Sequence, residues 1–151
     1  MNPYASAHAA KYKSLEVNSS NRLKVVVMIY DAALASLKHA ALCHTKNDLI
    51  KRNQFISRTQ FIVQELNNAL DMQKGKEIAS SLRKIYFFIN RHLNDVMTDN
   101  DSRKIQDVIK ILSQLREAWQ EISQKAFLEQ TRDTSADVYH KGDVSSLVQK
   151  A

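Results

Sequence analysis

Ile78-Ala79-Ser80-Ser81-Leu82-Arg83-Lys84-Ile85-Tyr86-Phe87-Phe88-Ile89-Asn90-Arg91-His92-Leu93-Asn94-Asp95-Val96 reads as a helix carrying more apolar surface than one core can use. Ile78, Leu82, Ile85, Ile89, His92 and Val96 recur at spacings of three and four, the period of one helix face. At about 100° per residue they fall within about 60° of Ile85, which predicts a core-facing stripe. Ile85-Tyr86-Phe87-Phe88-Ile89, however, encircles the helix, because successive side chains rotate round the axis. A helix packed on a single core needs a stripe, not a ring. On the same wheel Tyr86 lies to one side with Ala79, Leu93 and Met97, and Phe88 lies on the other flank. Phe87 points away from the stripe, among Lys76, Ser80, Arg83 and Asn94.

Three further segments share the heptad-like rhythm. Helix 1 begins near the cap residues Ser19, Ser20 and Asn21 and carries Leu23, Val27, Tyr30, Leu34, Leu37 and Ala41. Asn47-Asp48 interrupts it. Helix 2 carries Phe55, Thr59, Ile62, Leu66 and Ala69 and is expected to stop before Gly75. Asp99-Asn100-Asp101-Ser102 separates helix 3 from helix 4, whose stripe is Ile105, Val108, Leu112, Leu115, Trp119, Ile122 and Ala126. Four stripes joined by short polar breaks predict an all-α, antiparallel four-helix bundle over residues 19–130. Residues 1–18 read as a loose N-terminal arm. Residues 131–151 lose the periodicity, mix both charge signs with small polar groups, and read as a disordered, flexible C-terminal tail.

Composition narrows the function. Two glycines and one proline leave little turn chemistry for a β fold and none for a glycine-rich phosphate loop. The start Met1-Asn2-Pro3-Tyr4 lacks a basic region followed by an apolar run, so no secretory leader is expected. No uninterrupted apolar run approaches the roughly 20 residues of a membrane span. Cys43 is the only cysteine, which points to a reducing compartment and hence the cytoplasm. Cys-x-x-Cys, His-Glu-x-x-His and paired Glu-x-x-His motifs are all missing. His39 and Cys43 share a helix face, but two ligands do not make a metal site. His92 on the helix 3 stripe reads as a core or boundary residue. The chain is therefore expected to be no enzyme and to need no cofactor or metal. A net charge of +6 leaves a small basic helical bundle that binds nucleic acid as an alternative. A self-associating structural bundle is a third class.

Helix 2 repeats the anomaly of Phe87: Phe61 points outward among Gln54, Gln64 and Asn68. Phe61 precedes Lys74 by as many residues as Phe87 follows it, so a hairpin pivoting there would set the two level. Such a pair predicts a groove between helices 2 and 3 for an apolar helix of a partner.

The chain resembles the flagellar secretion chaperone FliS family from about residue 2 to 130. Asn2-Pro3-Tyr4-Ala5 is similar to the family's start, and Met28-Ile29-Tyr30-Asp31-Ala32-Ala33-Leu34 to its Met-Leu-Tyr-Asp-Gly-Ala segment. Glu65-Leu66 with Ala69-Leu70-Asp71 resembles the end of its second helix. Gly75-Lys76-Glu77-Ile78-Ala79, with Leu82 and Ile85-Tyr86, resembles its third, and Arg116-Glu117-Ala118-Trp119-Gln120-Glu121-Ile122 its fourth. Two departures are Ser20-Asn21-Arg22-Leu23, which lacks the family's proline, and Ala32 in place of its glycine. The family commonly has a polar residue at the Phe87 position. The resemblance implies a cytoplasmic chaperone that binds the disordered C-terminal segment of flagellin, prevents its premature polymerisation, and delivers it to a component of the type III export gate. It implies no nucleic-acid partner and no stable membrane insertion. Together, the resemblance and the groove place client contacts at Phe61, Ala79, Leu82, Arg83, Tyr86, Phe87, Asn90 and Leu93. In the family the N-terminal arm is thought to cover part of that surface, which implies Tyr4 and Tyr12 as its apolar plugs.

Overall fold

The computed structural model describes residues 19–149. These form four α-helices and no strand: α1 Ser19–Thr45, α2 Leu49–Asn68, α3 Met72–Asp99 and α4 Arg103–Gln149. The all-α bundle expected from the four stripes is the fold observed. The arm, with Tyr4 and Tyr12, lies outside the described residues. The chain divides into two compact units, Met28–Glu117 and the remainder, Met1–Val27 with Ala118–Ala151.

Local chemistry sets the three reversals. Asn47 takes a left-handed backbone (φ 57°), which turns the chain out of α1. Asp48 then caps α2, its carboxylate accepting the Lys51 N–H at 3.2 Å. Asn100 is also left-handed (φ 58°) and closes α3 by donating its N–H to the Val96 carbonyl at 3.1 Å. The side chain of Asp101 accepts the Arg103 N–H at 3.1 Å and opens α4. Both breaks fall where the sequence places them. The middle one also holds, since α2 ends at Asn68, before Gly75, but the chain re-enters a helix before the glycine is reached. Asp71 caps α3 through the N–H groups of Gln73 and Lys74 at 3.1 and 3.0 Å. Only one helical turn follows before Lys76, at φ 44° and ψ −117°, breaks the helix. Gly75 has an ordinary negative φ and serves a different need. A Cβ there would stand 2.7 Å from the Ala79 Cβ.

The core draws Tyr30, Leu34 and Leu37 from α1, as the stripe predicts, together with Ala33 and Ala40, which lie beside it, while Leu23 and Ala41 are half-buried. From α4 come Ile105, Val108 and Leu112, while Ile122 is exposed and Ser123 is buried in its place. In α2 and α3 the core line lies elsewhere than expected. Ile56, Thr59, Val63 and Leu66 are buried in α2, with Phe55 and Ile62 only half-buried and Ala69 exposed. In α3 the buried set is Ala79, Leu82, Tyr86, Ile89, Leu93 and Val96, whereas Ile78 is exposed and Ile85 and His92 are half-buried. At 100° per residue both lines are rotated by roughly 60° from the predicted ones, toward the α2–α3 seam.

Polar chemistry explains part of the rotation. Tyr86 is buried because its hydroxyl shares a 2.5 Å hydrogen bond with that of Tyr30. Burial, and then that bond, push its phenol above the ordinary range, so the pair stays neutral. Arg52, 2% exposed, replaces Phe55 on the inner face of α2. Its guanidinium donates to Asn53 Oδ1 (3.0 Å) and Asn100 Oδ1, and pairs with His44 Nδ1 (3.0 Å). One buried cation thus ties the α1–α2 and α3–α4 connections to α2. Burial lowers its pKa, yet a guanidinium remains charged in proteins.

By length and composition Ser20–Thr45 could cross a bilayer. Its apolar face is instead occupied by the bundle: Tyr30, Ala33 and Leu37 are fully buried. At the other end, α4 continues through Gln149, where the sequence reads as a flexible tail from 131. Thr131, Thr134 and Ser135 donate their hydroxyls to the carbonyls of Phe127, Gln130 and Thr131. These polar residues are satisfied within a helix, so lost apolar periodicity does not end it.

Candidate binding surface

The α2–α3 hairpin presents two large aromatic side chains to water, Phe61 at 67% and Phe87 at 59% exposure. Both were expected outward, and both are. Their heights differ from the expectation. Gln60 Nε2 donates to the Asn90 carbonyl at 3.3 Å and to Asn94 Oδ1 at 2.7 Å, and Arg52 reaches Asn100. In that antiparallel register Phe61 faces the level of Arg91, not Phe87. The two phenylalanines stand about one turn, or about 6 Å, apart along the hairpin. The cause is the extra helical turn Met72–Gly75, which moves the pivot beyond Lys74.

The remaining expected contacts divide by depth. Ala79, Leu82, Tyr86 and Leu93 are core residues in the free chain, each less than a tenth exposed, because the core line of α3 runs through them. They are not brought to the surface beside Phe87. Arg83 and Asn90 are half-buried on the α2 side of α3. Arg83 Nε, Asn90 Oδ1 and, across the seam on α2, Asn67 Oδ1 are buried without a hydrogen-bond partner. A donor and two acceptors therefore lie along the edge from which Phe87 projects.

Rotation of α3 also creates a surface that the wheel did not place. Ile85 and Phe88 turn toward α4 and meet Ile111 and Leu115 in an open groove of about 400 Å³, edged by Lys84 and Gln114. The Phe88 and His92 rings meet at a tilt with centroids 4.1 Å apart, so the half-buried His92 supports the aromatic wall. The run of five apolar residues was the available signal, since a ring must meet a neighbour on both sides. In the smaller unit, Lys24 lies 4.8 Å over the Phe127 ring, and these residues with Ser123 and Leu128 edge a second groove of about 340 Å³. Among the described residues no group of three His, Cys, Asp or Glu side chains could hold a metal ion. His39 stacks on Phe55 at 5.1 Å instead of joining Cys43.

Comparison with known proteins gives this chain a family. Among curated proteins the chain is 32% identical to the flagellar secretion chaperone FliS of Salmonella typhimurium, over 77% of this chain and 87% of that protein. It is 30% identical to the flagellar secretion chaperone FliS of Campylobacter jejuni, over 74% of this chain and 87% of the relative. Against that of Bacillus subtilis the identity is 26%, over 82% and 87%. The profile of the flagellar protein FliS matches residues 4–126, a range that reaches into all four helices, so the chain belongs to the FliS family.

Proposed function

We propose that this protein is a cytoplasmic flagellar export chaperone. It binds the C-terminal segment of flagellin, holds it from polymerising, and hands it to a component of the export gate. The exposure of Phe61 and Phe87 on one hairpin carries the reading, in a chain whose family is that of the flagellar secretion chaperones. Soluble bundles tolerate single exposed aromatics, but two on adjacent helices give an apolar partner helix two anchor points. A segment that is disordered until it docks can lay its apolar face across the seam and accept the ordering cost in exchange for breadth of contact.

The expected contact set acquires an order from the geometry. Phe61 and Phe87 meet the client first. Arg83 and Asn90 offer polar atoms at the seam edge. Ala79, Leu82, Tyr86 and Leu93 form the packed floor behind them, and set the position of Phe87 without needing to touch the client. Tyr4 and Tyr12 belong to an arm that covers the surface until the client displaces it.

Titration calorimetry with a synthetic flagellin C-terminal segment tests the reading. A phenylalanine with about two thirds of its surface still to bury contributes about 1.5 kcal/mol, or about tenfold in Kd. Phe61→Ser/Phe87→Ser is expected to weaken binding about a hundredfold without unfolding the bundle. Unchanged affinity would remove the hairpin from the client site. Deleting residues 1–18 is expected to raise both client affinity and apolar-dye binding. No change in either would dispose of the covering role.

A further inference from the structure

Positive charge prevails around the two outward phenylalanines, most clearly at Phe87. Residues 57–65 of α2 and 83–91 of α3 contain Arg58, Arg83, Lys84 and Arg91, against a single carboxylate, Glu65. These two short stretches hold a charge of +3, half of the excess of the whole chain. Arg58 and Glu65 lie one turn to either side of Phe61, and Lys84 and Arg91 one turn to either side of Phe87, the spacing at which helix side chains are neighbours, while Asp95, one turn beyond Arg91, is paired with Lys104. Arg91 also stands level with Phe61 across the seam. Arg58, Lys84 and Arg91 are exposed, and none forms an ion pair among the described residues. The cations that are paired, Arg103, Lys104 and Arg116, lie elsewhere on the surface.

We infer that the α2–α3 seam selects a client segment whose apolar anchors are flanked by aspartate or glutamate. The inference rests on the client reading above and names the chemistry of the partner at that site. Apolar burial at Phe61 and Phe87 supplies most of the affinity. Arg58 and Arg91, beside the two rings, and Lys84, between Phe87 and the α4 groove, act on encounter and register, because exposed charges attract over several ångströms but contribute little each when paired. An acidic flank on the client also meets repulsion from every other acidic surface, so a basic seam separates the right docking face from the wrong ones.

The test uses the full chain, its R58Q/K84Q/R91Q and F61S/F87S variants, and two synthetic peptides. One is the C-terminal segment of the flagellin encoded in the same genome. The other is that segment with each Asp and Glu changed to Asn or Gln. Kd is measured at about 0.05 M and about 0.5 M NaCl, where screening differs strongly. The charge variant is expected to bind the native peptide about tenfold more weakly at low salt, and like the wild type at high salt. The neutralised peptide should lose the same factor against the wild type and nothing further against the charge variant. If F61S/F87S abolishes binding while the charge variant and the neutralised peptide bind normally at both salts, the acidic-client inference is overturned and the site survives. If F61S/F87S binds normally, the site itself is misplaced. Salt-sensitive binding of a poly-dT oligonucleotide, lost in R58Q/K84Q/R91Q while peptide binding stays intact, would assign the cations to nucleic acid and overturn the inference.

Discussion

Gly75 and Lys76 are neighbours at the break in α3, and alanine and glycine substitutions there should act with opposite signs. Ala in a helix is favoured over Gly by about 1 kcal/mol, so propensity alone makes Gly75→Ala stabilising. The local packing opposes it. The new Cβ would sit 2.7 Å from the Ala79 Cβ, and Ala79 is 3% exposed. Neither atom lies on a rotatable side chain, so relief requires the backbone to move within a packed layer, at a cost of about 1–3 kcal/mol. The net expectation for Gly75→Ala is a loss of about 1 kcal/mol. At Lys76 the problem is the backbone itself: φ 44° and ψ −117° suit glycine and strain a residue bearing a Cβ by about 1–3 kcal/mol. Lys76→Gly removes that strain, against roughly 1 kcal/mol of added unfolded-state entropy, and should gain up to about 2 kcal/mol. Lys76→Ala keeps the Cβ and should gain nothing. Urea unfolding followed by far-ultraviolet circular dichroism, with equal m-values, reads all three. A neutral or stabilising Gly75→Ala, or equal effects of Lys76→Gly and Lys76→Ala, would refute the assignment of space to one residue and strain to the other.

Arg52→Met should cost about 1–2 kcal/mol and Arg52→Ala about 3 kcal/mol in the same assay. Their common loss is the guanidinium bonds to residues at the bundle end, where His44, Asn53 and Asn100 can turn to water, and only Ala leaves a void. Tyr86→Phe should lower stability by about 1 kcal/mol through loss of the Tyr30 hydroxyl bond, while leaving client affinity by calorimetry unchanged. Asp71→Ala should cost about 1 kcal/mol by uncapping α3, with Asp71→Asn nearly neutral in urea unfolding. Truncation after Gln130 should reduce the helical circular-dichroism signal but move the unfolding midpoint little, since the described side chains 131–136 are exposed.

The periodicity was enough to identify Tyr30, Leu34 and Leu37 in α1 and Ile105, Val108 and Leu112 in α4, but not the small buried residues Ala33, Ser36 and Ala40 of α1, a helix that also leaves Val25, Met28 and Leu42 exposed. The capping residues Asp48 and Asn100 were equally plain, since short polar side chains at helix ends have few other uses. In α2 and α3 the pattern admitted more than one line. Ile78 is larger than Ala79 and Ile85 is more apolar than Tyr86, so a wheel weighted by hydrophobicity places the two isoleucines inside. The structure prefers Ala79, whose small size permits the close approach of Gly75, and Tyr86, whose hydroxyl finds Tyr30. Neither reason is local to α3. Arg52 is the same case in α2: a lone arginine reads as surface until His44 and Asn100, from two different connections, are found around its guanidinium.

That rotation decides which parts of the aromatic run are free to act. On the predicted line, Phe87 is diametrically outside and Tyr86 at the margin, so both are candidates for a partner. On the observed line, Tyr86 is withdrawn into the core and Phe87 comes to the shoulder of the α2–α3 seam, beside the unpartnered atoms of Arg83 and Asn90. Ile85 and Phe88 swing to the opposite flank and edge the groove with α4. Five consecutive apolar residues thus serve a core and two separate outer surfaces. A partner that fits only the α2–α3 side should sense Phe87→Ser strongly and Phe88→Ser weakly. A client wrapped around α3 should sense both about equally. Comparing the two single variants by calorimetry with one flagellin segment separates these arrangements, because the side chains are adjacent in sequence, similarly exposed, and directed to different faces.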